Sequence, residues 1–185
     1  MPVTLGIRRC QTGPGDSVDA LLECHDRIRR FVATARRLAG APNVPAEQIT
    51  EAAASVRRYF TEDLPLHSTD EDASVAPRLL ALTLPVDVRE AVQAMTGQHD
   101  TLHETIRQLS VGWAEVAHDA AALPGLASTL SPLSATLDTL FGVHLAMEEN
   151  TVFPAIRALL PAAERDAILV EIRARRDTRR TAKIG

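Results

Sequence analysis

One pattern, H-x3-E-[DE]-x2-V-x-P, occurs twice in this sequence and brings histidine and carboxylate side chains together. It reads HSTDEDASVAP at residues 67–77 and HLAMEENTVFP at residues 144–154. Each copy follows a further histidine, His25 in LLECHDRIRRF and His99 in MTGQHDTLHETI, after 42 and 45 residues respectively. The chain therefore consists of two similar halves. Each half carries one histidine on a first element and a histidine with a carboxylate on a second.

The spacing of these residues indicates a metal centre. Four residues are about one turn of an α-helix, so two side chains at this spacing lie on one face. We expect five imidazoles and two carboxylates to converge inside a helical bundle, from His25, His67, Glu71, His99, His103, His144 and Glu148. Buried carboxylates without a counter-charge are costly. Metal ions remove that cost because they bind carboxylates and imidazole lone pairs together.

The number of candidate ligands predicts two ions that share Glu71 and Glu148. If both carboxylates and a solvent-derived oxygen bridge the ions, three imidazoles complete one ion at six ligands, and two imidazoles bring the other ion to five. The difference arises because Arg29 occupies, in the first half, the position of His103 in the second. One coordination position is then free for a small ligand. Nitrogen and oxygen ligands without a thiolate favour iron or manganese over structural zinc.

Helices must position these residues, and the sequence predicts four long ones. Apolar residues recur at spacings of three and four from Ser17, from about Ala46, from Pro85 and from Ser131. Aromatic residues make up only 3% of the chain, which disfavours β-structure. The predicted fold is an all-α, up-down-up-down four-helix bundle over residues 17–160. Residues 1–16 are expected to form an irregular lead-in, and residues 161–185 a short C-terminal helix and a basic tail.

The composition argues against several functional classes. The 185 residues fit one domain, and a net charge of −4 argues against a nucleic-acid partner. No run approaches the roughly 18 apolar residues of a membrane span, and the N-terminus lacks the apolar stretch of a secretory signal. Cys10 and Cys24 do not make a disulfide framework, so we expect a cytoplasmic protein. No glycine-rich phosphate loop, Ser/His/Asp arrangement or CxxC motif supports a nucleotide-binding or hydrolase function.

At these residues the sequence resembles the hemerythrin-like, or HHE cation-binding, family. The resemblance covers about residues 17–160 and rests on a histidine in the first helix, H-x3-E in the second, H-x3-H in the third and H-x3-E in the fourth. It implies two iron ions joined by an oxo or hydroxo bridge, with the five histidines as ligands and Glu71 and Glu148 as bridging carboxylates. It also implies binding of O2, peroxide or nitric oxide, in oxygen or redox sensing or in iron and stress homeostasis. Manganese and zinc are the alternative metals.

The sequence departs from oxygen-carrying hemerythrins in two respects. Those proteins place their last carboxylate, an aspartate, five residues after the histidine of the fourth helix, where this chain has Glu149. The repeat pairs Glu148 with Glu71, so we predict Glu148 as the ligand and keep Glu149 as the alternative. The chain also has a longer connection between its third and fourth helices and an added C-terminal helix. Both favour a sensor, a stress protein or an enzyme over a carrier.

Two other functions are alternatives to small-ligand binding. A di-iron oxidoreductase would activate O2 or peroxide to oxidise an organic substrate, which requires a pocket beside the ions near Ile28, Phe60 and Leu64. A metal-responsive regulatory protein would contact a partner through its C-terminal helix and tail.

Three features of the sequence each have two interpretations. Asp72 is either solvated or orients a ligand imidazole, and Cys24 is either a small core residue or a redox-active thiol. The basic segment from Arg173 is either solvated or contacts an acidic partner.

Overall fold

The computed structural model describes residues 15–40 and 44–182, and every regular element in these ranges is helical. The α-helices are α1 (Ser17–Ala39), α2 (Ala46–Arg58), α3 (Leu64–Thr69), α4 (Ala76–Leu80), α5 (Val86–His118), α6 (Leu123–Met147), α7 (Phe153–Leu159) and α8 (Ala162–Ala182). Three π-helical turns interrupt them, π1 (Tyr59–Asp63), π2 (Asp70–Val75) and π3 (Glu148–Val152). A 3-10 turn (Ala120–Ala122) connects α5 to α6.

These elements form a bundle of four long rods. The first rod is α1, the second runs from α2 through π1, α3 and π2 to α4, the third is α5, and the fourth joins α6, π3 and α7. The first rod packs on the second and the fourth, and the third also packs on both, so consecutive rods are neighbours. The predicted all-α bundle is confirmed. Among the described residues, no helix combines the length and apolarity that a bilayer crossing requires.

The helix ends follow local sequence signals, with one exception. The Asp16 carboxylate accepts a hydrogen bond from the backbone N–H of Asp19 and caps α1, and Gly40 ends this helix. The fourth rod was expected to begin at Ser131, but α6 begins at Leu123 and contains Pro132 in its interior. Proline at position 124 fits the first turn, where its missing N–H costs nothing. The predicted lead-in lies outside the described residues as far as residue 14.

Two apolar clusters fill the bundle, one on each side of a layer of polar residues. On α1 the apolar residues before His25 belong to one cluster and those after it to the other. The same change of cluster occurs on α5 at His99 and on the fourth rod between Phe141 and Val152. Each rod therefore crosses the polar layer once, at a residue that the sequence repeat identifies.

Candidate metal centre

The polar layer consists of four histidines and two glutamates whose side chains are buried. Every one of them is at most 3% exposed, although two are acidic: His25, His67, Glu71, His99, His144 and Glu148. Burial removes the hydration of all six groups, so the layer is stable only if its members compensate one another or bind ions.

Two groups of ligand atoms form within the layer, and both glutamates belong to both groups. The first group combines the glutamates with His25 and His67, and the second combines them with His99 and His144. In each group the ligand atoms lie within 4.8 Å of one another.

The two oxygens of each carboxylate divide between the groups. Glu71 Oε1 lies 3.3 Å from Nε2 of His67, and Glu71 Oε2 lies 3.2 Å from Nε2 of His99. Glu148 Oε2 lies 3.1 Å from Nε2 of His25, and Glu148 Oε1 lies 3.0 Å from Nε2 of His144. Each glutamate therefore presents one oxygen to each histidine pair. This is the arrangement of a carboxylate that bridges two ions.

The atoms that face the middle of the layer fit metal ions. Both oxygens of Glu71 and of Glu148 have no hydrogen-bond partner, and neither has Nε2 of His25, His67 or His99. An unpaired buried polar atom costs free energy. Imidazole nitrogen and carboxylate oxygen are together the ligand set of iron, manganese and zinc sites. The residues present therefore fit two such ions.

The π-helical turns set the direction of the two glutamates. Glu71 is the second residue of π2, and Glu148 is the first residue of π3. A π turn inserts one residue into the helix, and such insertions are frequent at functional sites. The α-helical turn before each of them keeps the histidine and the glutamate on one face. The repeat H-x3-E-[DE]-x2-V therefore encodes a histidine–glutamate pair followed by a π turn, twice.

The structure does not bring His103 to the other six predicted ligands. Its side chain is exposed, and its Nε2 lies 3.2 Å from the Oγ of Ser68. The ring stacks on the ring of His99 at 6.1 Å, and His103 belongs to neither group of ligand atoms. Arg29, at the corresponding position of α1, is exposed as well. In the structure each group therefore combines two imidazoles with both carboxylates, and His103 as a further ligand stays a prediction.

Replacing His103 with alanine is expected to leave two ions bound per chain, because neither group uses this imidazole. His99→Ala, one turn earlier on α5, removes a nitrogen of the second group and should lower the metal content. Mass spectrometry of both variants after equal dialysis makes the comparison. A similar loss of metal in both would return His103 to the set of ligands.

Groups around the layer hold the other ring nitrogen of three of its four histidines, and Nδ1 of His67 has no hydrogen-bond partner. Nδ1 of His25 donates to Glu149 at 2.8 Å, and Nδ1 of His99 donates to Asp72 at 2.9 Å. Each of these carboxylates directly follows a glutamate of the layer in one half of the chain and holds the first histidine of the other half. Arg29 donates to both oxygens of Glu149, at 2.7 and 2.8 Å. These contacts fix the tautomer in which Nε2 faces the carboxylates.

Sequence reasoning missed two of these orienting residues. Gln98, whose side-chain oxygen lies 2.9 Å from Nδ1 of His144, gave no signal of its own. Glu149 was considered as a ligand, although the repeat aligns it with Asp72, for which an orienting role was considered. In the structure both residues accept a hydrogen bond from Nδ1 of a layer histidine.

Burial and mutual charge shift the pKa values within the layer in opposite directions. Burial lowers the pKa of His67 to about 3 and that of His144 to about 4, so both rings are neutral and can bind a cation. Burial also opposes protonation of His25 and His99, but the close approach and negative charge of the neighbouring carboxylates raise their pKa values to about 10 and about 9. Burial and the charge of Glu71 raise the pKa of Glu148.

Metal affinity of the layer is expected to rise with pH between about pH 6 and about pH 9. In the metal-free protein His25, His99 and Glu148 have raised pKa values and hold protons near neutral pH. An incoming cation must displace them. Each displaced proton strengthens apparent binding about tenfold per pH unit. Competition between the protein and a chromogenic chelator for Zn²⁺ at several pH values measures this slope, and an affinity independent of pH would contradict it.

A comparison with protein-family models matches residues 16–156 to the model described as the hemerythrin HHE cation binding domain. The match begins at the residue that caps α1 and ends within α7, so it includes the whole polar layer and leaves α8 outside. A comparison with curated proteins gives no match.

Proposed function

Because the chain belongs to the hemerythrin HHE cation-binding domain family, we propose that it is a non-heme di-iron protein that binds O2 or a related small ligand. One observation carries the proposal: two buried glutamates each present one oxygen to each of two histidine pairs. When bound, a pair of iron ions supplies electrons to a small ligand and holds it at coordination positions that the protein leaves free.

The number of protein ligands supports binding of a small molecule at either ion. Each group offers two imidazole nitrogens and two carboxylate oxygens, fewer than the six ligands of an octahedral ion. Positions for solvent and for a small ligand are therefore available at both ions. The sequence alone suggested a free position at only one.

The surroundings of the layer favour a ligand of two or three atoms. The ring of Phe153 lies 4.9 Å from the ring of His25, and the ring of Phe141 lies 6.3 Å from that of His144. Apolar residues close both sides of the layer, which excludes water from the carboxylates and strengthens their interaction with a cation. A diatomic ligand needs no larger space.

Metal analysis of the freshly purified protein, with absorption spectra before and after reduction and renewed exposure to air, tests this proposal. We expect two irons per chain and a near-ultraviolet band that disappears on reduction. Its return in air, through repeated cycles, would support reversible binding of O2. A protein that holds no metal, or a single zinc, would overturn the proposal.

A groove beside the layer favours a second candidate function, oxidation of an organic substrate. The open groove has a volume of about 760 Å³ and lies between α2 and α5, where its lining includes Phe60, His103 and Val111. Phe60 also stacks on Phe141 at 6.5 Å, next to the ring of His144. Ile28, expected near such a pocket, lies instead in the apolar core, as Leu64 does.

Val111→Trp distinguishes the two functions because it fills the groove without touching the polar layer. Oxidation of a phenol by hydrogen peroxide should be lost in this variant if the groove holds the substrate. Binding of nitric oxide by the reduced protein should remain as in the wild type. Unchanged phenol oxidation would exclude the groove as the substrate site.

A further inference from the structure

Helix α8 lies outside the range that matches the family, yet it packs closely on the metal-bearing part of the bundle. Ile168 and Ile172 are buried in the same apolar cluster as Leu21 and Val75. The basic segment that was expected to be solvated is thus part of a folded helix. Three of its arginines, Arg175, Arg176 and Arg179, form ion pairs with the second rod.

Two of these arginines hold a buried carboxylate next to a layer glutamate. Arg175 Nη1 lies 2.7 Å from one oxygen of Asp70, and Arg176 Nη2 lies 2.7 Å from the other. Asp70 is fully buried and directly precedes Glu71 in π2. Arg175 also donates to Ser74 Oγ at 2.7 Å, so both ends of this π turn are attached to α8.

A third contact reaches the neighbour of another layer residue. Arg176 Nη2 lies 3.4 Å from the Sγ of Cys24, which directly precedes His25 on α1. Arg179, one turn later, forms ion pairs with Glu62 and Asp63 at the end of π1. The ion pairs of Arg175, Arg176 and Arg179 to other elements thus all reach the first half of the chain. Asp70 and Cys24, which these arginines contact, directly precede two of the four ligand residues of the first group, Glu71 and His25.

We infer that α8 is a clamp that positions the first metal group, with Arg175 and Arg176 as its positioning residues. Without them Asp70 would be a buried carboxylate with no counter-charge, and it would turn toward water. That movement would rotate π2 and displace Glu71, which belongs to both groups, while Cys24, the residue before His25, would lose its contact with Arg176. The second group would keep both of its histidines in place. This inference rests on the proposed binding of two metal ions.

The double variant Arg175→Ala/Arg176→Ala, loaded with Zn²⁺, tests the clamp through the release of the two ions to a chromogenic chelator. We expect one ion to leave about tenfold faster than in the wild type or more, in the range seen when groups behind metal ligands are removed. The other ion shares Glu71 but keeps both of its histidines in place, so its release should be accelerated by a smaller factor. If the double variant does not fold, Arg176→Lys, which keeps the charge but not the planar fork, provides the same comparison.

Two control variants separate positioning from general stability. Ile168→Ala weakens the packing of α8 but leaves both arginines, and Arg180→Ala removes an exposed arginine that pairs with Asp177 on the same helix. Neither should accelerate the release of one ion selectively. If the double variant releases both ions faster by the same factor, the clamp alone is overturned. It is also overturned if Ile168→Ala, at the same Tm as the double variant, accelerates the release of one ion selectively. A wild-type protein that takes up no pair of ions would overturn the proposed function as well.

Discussion

Replacing Glu148 with alanine is expected to abolish the binding of two metal ions, because this carboxylate presents one oxygen to each histidine pair. The substitution removes a ligand from both groups, whereas loss of any one layer histidine affects a single group. Metal content after extensive dialysis should fall from about two ions per chain to below one. Two ions retained by this variant would contradict the bridging role.

The neighbouring residue provides the matched control. Glu149→Ala removes the acceptor of His25 Nδ1 but no ligand atom of either group. We expect this variant to bind two ions at saturation with an affinity about 10- to 100-fold lower, as is typical of residues that orient a ligand.

Replacing Glu148 lowers metal binding, but it should not lower the free energy of unfolding of the metal-free protein. In that state Glu148 is a buried acid beside Glu71, and its pKa is raised by burial and by this neighbouring charge. A carboxyl group whose pKa is raised on folding destabilises the folded state as pH increases through this range. Glu148→Gln should therefore make the metal-free protein at least as stable as the wild type near pH 8, although it cannot bridge two ions.

Removal of the metal ions from the wild-type protein is expected to lower its Tm by about 15–30 °C. A ligand present at about 1,000 times its dissociation constant adds about 4 kcal/mol to the free energy of unfolding. Two ions thus add about twice this amount, and each kcal/mol shifts Tm by about 2–4 °C in a chain of this size. The buried glutamates and histidines also lose the cations that compensate their burial.

Differential scanning calorimetry with and without a chelator measures this change. Glu148→Ala should show almost no response to the chelator, since it has little metal to lose. A wild-type Tm that does not change on chelation would mean that the polar layer is stable without ions.

The fold and most of the site follow from the repeat, for a physical reason. A histidine and a carboxylate four residues apart on an apolar stripe must face the core, and two copies must meet where the rods cross. His103 shows the limit of this argument, because helical spacing predicts the face of a residue but not its depth in the bundle. Arg29 was the available signal, because it occupies the corresponding position of the first half and is exposed, as His103 is.

The role of α8 was beyond local sequence patterns. Its arginines read as a basic tail because their acidic partners lie far away in sequence, as with Asp70, which precedes Arg175 by 105 residues. The interior Pro132 of α6 was also misjudged as a helix start. One lost backbone hydrogen bond is tolerated there because the packing of the bundle sustains the helix.

Asp72 and Glu149 each accept a hydrogen bond from a histidine in the other half of the chain, so each half depends on the other. Each group combines three residues of its own half of the chain with a glutamate of the other half, and the acceptor behind its first imidazole also comes from that other half. Neither half is complete alone, as in a symmetric dimer whose centre lies on the twofold axis. The fold has the form of such a dimer of helical hairpins joined in one chain, and Arg29 and His103 occupy corresponding positions at which the two halves differ.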